Sequence, residues 1–202
     1  MLQEKSIYLR LEPLTMLLLY KASELNAGSV SALKDAFSQY GFQHRQIVDE
    51  TFEKRLGEMA ERYSEILLCH EIAEALEEVP EWKDILFQAG DRKVEHYLRG
   101  IKDLIADTSD HGPYKRIVDT QDRGALSLTI ALMDGYRRVI YPEMQNAYNE
   151  FSRHGNWSAI DQSRRAGYEH FRAQRDAVVD LYHVYGGKDD FTRKIRERLL
   201  TI

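Results

Sequence analysis

Apolar side chains recur every three or four residues through most of this chain, a period that restricts it to helices. The clearest run lies between His44 and Val79, where Val48, Phe52, Leu56, Met59, Tyr63 and Ile66 form one stripe, continued by Ile72, Leu76 and Val79. Strand-like alternation is confined to Ser6–Leu11, with Ile7, Leu9 and Leu11 on one side, and predicts a short extended arm.

Glycine and proline set the boundaries. A first helix is expected between Pro13 and Gly28, and a second over 31–40 with Gly41 as its stop. The long third helix spans 44–79, with Gly57 as a point where it could bend, and Pro80 opens a short helix ending before Gly90. Asp91 caps a helix whose stripe is Val94, Tyr97, Leu98, Ile101, Leu104 and Ile105. After the polar turn 107–113, helices are expected over 113–122, 126–140, 142–155 and 158–184. A last helix is capped by Asp189 or Asp190 and carries Phe191, Ile195 and Leu199 inward. The expected fold is therefore all-α: a multi-helix bundle of eight or nine helices with a short N-terminal extended arm.

Charge divides the chain. Residues 1–112 carry 13 Lys and Arg against 21 Asp and Glu, residues 113–150 carry 5 against 5, and residues 151–202 carry 10 against 7. The sequence thus suggests an acidic N-terminal helical subdomain, 1–112, packed on a more basic C-terminal one, 113–202, or one continuous domain with this asymmetry. The single cysteine, Cys69, excludes an intrachain disulfide and fits a reducing compartment. The early apolar run Leu14–Tyr20 is too short to span a membrane and lacks a cleavage site. The expectation is a cytoplasmic protein with no membrane contact. Its acidic half argues against nucleic acid as a partner.

Two sets of residues carry chemistry. The first is carboxylate and imidazole. His70, Glu74 and Glu77 share one helix face, Glu143 and Glu150 are seven apart, and Asp176, Asp180 and His183 repeat the first spacing. Facing helices of a bundle build metal sites from such side chains, and the metals they take include iron, manganese and zinc. The second set is a cationic stripe on a late helix: Arg165, Tyr168, Arg172 and Arg175, with His170 beside it, which suits an anion or a partner surface. Six tyrosines of the second half, Tyr136, Tyr141, Tyr148, Tyr168, Tyr182 and Tyr185, pack a half-buried helix interface or line a polar pocket with Arg137, Arg138, Glu143 and His183. Cys69 and His70 are adjacent on a helix, so they point apart and form no dyad.

Each set resembles a known family over a few residues. Asp176-x-x-x-Asp180-x-x-His183 resembles the final-helix ligand set of haem-oxygenase-like di-iron proteins, which implies an iron pair that activates oxygen. An aspartate stands here for the usual first histidine, and Tyr63 stands where an upstream glutamate would precede His70 by seven. Arg165-x4-His170 resembles the motif of HEPN ribonucleases, which implies that the arginine holds a phosphate while the histidine acts on the ribose hydroxyl. The leading expectation is a helical protein that binds a partner, protein or small molecule, as a homodimer. The alternatives are a metal-dependent enzyme and an RNA-cleaving protein, and whether the chain is an enzyme stays open.

Overall fold

A computed structural model describes residues 2–3, 6–25, 28, 30–42, 49–187 and 190–199. Among them are eleven helices, nine of them with eight or more residues, and one two-residue hairpin. The all-α bundle is as the periodicity predicts. The hairpin pairs β1 (Leu2–Gln3) with β2 (Ser6–Ile7) in antiparallel register, Leu2 opposite Ile7. The extended arm is shorter than expected, because α1 (Leu11–Ser23) begins before Pro13 and takes in Leu11. Pro13 in the first turn costs no intrahelical bond.

Helix α2 (Ser31–Gln39) ends at Gly41, whose φ of 76° supplies the left-handed turn. Helix α3 (Glu50–Leu76) starts where the Asp49 carboxylate accepts from the Phe52 amide. The expected start at His44 and the stripe residue Val48 lie outside the described residues. The helix runs unbroken through Gly57. Phe52, Leu56, Met59, Tyr63 and Ile66 are buried as predicted, but Ile72 and Leu76 are exposed, because the inward face of the last turns is Ala73.

Helix α4 (Trp82–Phe87) leads to Asp91, which caps α5 (Arg92–Thr108) through the amides of Lys93 and Val94. Every predicted stripe residue of α5 is buried. Helix α6 (Pro113–Thr120) follows, then α7 (Arg123–Leu132), capped by Asp122. The single helix expected over 126–140 is two. The chain extends at Met133, turns at Gly135 with φ 52°, and resumes as α8 (Gly135–Ile140). That turn aims Arg137 at α5. Helix α9 (Pro142–His154) ends at Gly155, α10 (Trp157–Tyr185) is the longest, and α11 (Asp190–Arg198) closes the chain; the alternative cap Asp189 lies outside the described residues.

One cluster of buried apolar side chains runs from Leu14 to Ile195, so both charge halves contribute to the same core. The turn after α5 is buried as well. Thr108 and Ser109 are buried, and the Arg164 guanidinium of α10 donates to the Thr108 carbonyl at 2.8 Å. No helix among the described residues is long and apolar enough to cross a membrane.

Candidate functional site

The third and fifth helices bring a group of ionised side chains together at their C-terminal halves. His70 of α3 presents Nδ1 to Asp107 Oδ1 of α5 at 2.7 Å and Nε2 to Glu74 Oε2 at 3.5 Å. Glu74 Oε1 accepts from Lys102 at 2.5 Å. Arg137 of α8 lies 3.7 Å from Asp107, 4.0 Å from Asp103 and 3.4 Å from Asp134.

The shared charges shift each group. Burial works against the His70 cation, but the bonds to Asp107 and Glu74 outweigh it and raise its pKa to about 10. An imidazole that basic is a cation at neutral pH and not a general base. The His70 bond, then Lys102, lowers Glu74 to about 2 against the effect of its burial. Asp103 is pushed up to about 6 by burial and by the charge of Asp107.

Beside this cluster lies a cavity of about 370 Å³ between α1, α3, α6 and α7. Leu14, Leu17, Leu67 and Leu132 supply apolar walls. Its polar lining includes His70, Asp107, Arg137 and Tyr63, whose hydroxyl donates to Thr129 at 3.3 Å. Tyr114 also lines it. Tyr114 is wholly buried and its hydroxyl has no hydrogen-bond partner among the described residues. Burial, then the charge of Asp107, raises the Tyr114 pKa well above the ordinary phenol value, so the hydroxyl keeps its proton.

Of the eight carboxylates and imidazoles singled out from sequence, His70 and Glu74 alone enter this cluster. Glu77 instead accepts from the Tyr168 hydroxyl at 2.6 Å and faces Arg175 at 3.7 Å. Glu143 and Glu150 are exposed on α9. Asp176 is exposed and bonded to Arg175, Asp180 is exposed, and His183 lies 3.8 Å from Glu81. The α10 trio is not brought together with the α3 pair: among the described residues the one group of metal-ligand type is His70, Glu74 and Asp103.

The cationic stripe is also spent on neighbours. Arg165 donates to Asp161, Arg172 lies over the Tyr168 ring, and His170 is exposed with its ring edge-on to Phe171. Of the tyrosines, Tyr141, between α8 and α9, donates to the Ser163 carbonyl of α10, and Tyr148 of α9 bonds Asp35 of α2 and Ser127 of α7. Cys69 is half-buried, and burial raises its thiol pKa, as for an unreactive cysteine.

Asp103 and Asp107 were not singled out from sequence. The signal was present: they lie four apart on α5, and Asp107 sits in the last turn, where the helix dipole disfavours a carboxylate. No curated protein and no solved structure matches this chain. Residues 15–201 do match a family model, and the chain accordingly belongs to the family of unknown function DUF6866, as its C-terminal domain.

Proposed function

We propose that this chain is a small-molecule-binding helical protein whose ligand occupies the cavity under α1. The Tyr114 hydroxyl carries this reading: a protonated, wholly buried donor without a partner among the described residues, on a residue that lines a cavity large enough for a ring-sized ligand. A ligand acceptor would complete it. Arg137 and cationic His70 are offset by Asp107 and Asp134, and Lys21, the remaining charge of the lining, is paired with Glu24 at 2.8 Å, so the lining selects no net charge. The ligand that fits is neutral, with an apolar body and a head that both accepts, from Tyr114, and donates, to Asp107.

A thermal-shift titration with neutral aromatic carboxamides tests this. Wild type is expected to gain stability with a dose-dependent midpoint. Tyr114→Phe should weaken binding about tenfold, the value of one buried hydrogen bond. Leu17→Trp, which fills the cavity, should abolish it. Equal binding by all three proteins would sink the proposal.

A homodimer is a second reading, supported by the outer side of α1, where Met16 is 61% and Tyr20 59% exposed. Light scattering at 100 µM decides it, since a monomer there removes the reading. The di-iron and ribonuclease readings gain no support, because the residues that carried them are exposed.

A further inference from the structure

We infer that His70, Glu74 and Asp103 form a binding site for a single divalent cation of the zinc type, which shares His70 with the cavity wall. The three side chains come from two helices, and one ligand atom from each lies within 4.8 Å of the others. An imidazole nitrogen with two carboxylate oxygens is a donor set that zinc accepts, with water completing four-coordination.

Each residue is held through the atom the metal does not need. Asp107 takes Nδ1 of His70 at 2.7 Å and leaves Nε2 turned toward Glu74, where a cation can stand between them. Lys102 takes Oε1 of Glu74 and leaves Oε2 facing Nε2. Arg137 faces Oδ2 of Asp103 at 4.0 Å and leaves Oδ1. A carboxylate on the far nitrogen of a ligating histidine is the usual outer partner in metal sites, where it fixes the ring and its tautomer.

The spacing agrees. Two ligands on bonds of about 2.1 Å at a tetrahedral metal stand about 3.4 Å apart, and Nε2 stands 3.5 Å from Glu74 Oε2. On binding, the cation takes the place of the Nε2 proton, which leaves to solvent.

The experiment is zinc binding by the full chain after chelator treatment, followed by calorimetry and by metal analysis after dialysis. Wild type should take up one equivalent of zinc chloride at pH 7.5 with a Kd of micromolar or tighter. His70→Ala and Asp103→Asn should lose at least tenfold in affinity, and Asp107→Asn should lose about tenfold through the ring it orients. Cys69→Ser should bind as wild type, which excludes a thiol site. Cobalt in place of zinc reports the ligands directly, because a four-coordinate site gives intense visible bands that Asp103→Asn should alter even if its affinity is kept. Circular dichroism on each variant separates unfolding from ligand loss. Tyr114→Phe should leave zinc binding intact, so failure of the cavity reading and failure of this one are told apart. Uptake below a tenth of an equivalent at 100 µM zinc overturns the inference. So does stoichiometric binding that survives both His70→Ala and Asp103→Asn with an unchanged cobalt spectrum.

Discussion

The guanidinium of Arg164, 2% exposed, donates to the carbonyl of Thr108 at 2.8 Å and so ties the longest helix to the turn that follows α5. The same side chain pairs with Asp161 at 2.9 Å and Asp110 at 3.1 Å. Removing it leaves the Thr108 carbonyl unpaired in the core. Arg164→Met should cost about 2–3 kcal/mol of unfolding free energy in urea. Arg164→Lys keeps the charge but not the fork, and should fall between Met and wild type.

Gly167 lets α9 approach α10. A Cβ there would stand 2.3 Å from the Tyr141 hydroxyl oxygen, so Gly167→Ala should destabilise by about 1–3 kcal/mol. Gly57 faces open space in mid-helix, and Gly57→Ala should stabilise by about 0.5–1 kcal/mol. Opposite shifts in the urea midpoint are the expected result; matching signs would mean that the α9–α10 contact is looser than described.

Tyr114→Phe has a sign that distinguishes a ligand site from a structural tyrosine. The hydroxyl pays for desolvation without a bond, so its removal should raise the stability of the ligand-free protein by about 1 kcal/mol. A structural hydroxyl would give a loss instead. Thermal and urea unfolding of the ligand-free proteins read the difference.

The His70 cluster makes stability depend on alkaline pH. With chelator present, the folded pKa of His70 is about 10 against 6.5 for an unperturbed histidine. Its contribution is full below pH 6.5 and is lost as pH rises through 10, on the order of a few kcal/mol. Urea unfolding from pH 6 to 10 should show wild type losing stability relative to His70→Gln. Imidazole carbon shifts of His70 that titrate near pH 6.5 would contradict this.

Much of the fold is legible in the sequence, for local reasons. The α5 stripe is legible because every third or fourth residue from Val94 to Ile105 is apolar and the helix is covered along that whole side. Asp91 is legible as a cap because its carboxylate is within reach of amides two or three residues on; Asp49 and Asp122 cap in the same way, but the first falls inside the expected 44–79 helix and the second at the end of the expected 113–122 helix. The exposed Ile72 and Leu76 were not foreseeable, since a periodic stripe does not say where its covering partner ends. The break at Met133–Gly135 was also hidden, because the residues on either side are apolar enough to continue a helix.

The candidate site was half legible. His70 and Glu74 share a helix face, which spacing alone reveals. Their partners Lys102, Asp103, Asp107 and Arg137 come from α5 and α8, and spacing within one helix carries no information about which helix lies opposite. Sequence by itself determined that this chain is helical, where most of its helices start and stop, and which faces turn inward, because those depend on backbone hydrogen bonding and the 3.6-residue period. Tertiary packing alone decided which charged side chains meet, that Arg164 would be buried, and that the Tyr114 hydroxyl would be buried without a partner among the described residues. Those depend on the distance between helices, which is set by the fit of side chains far apart in the chain.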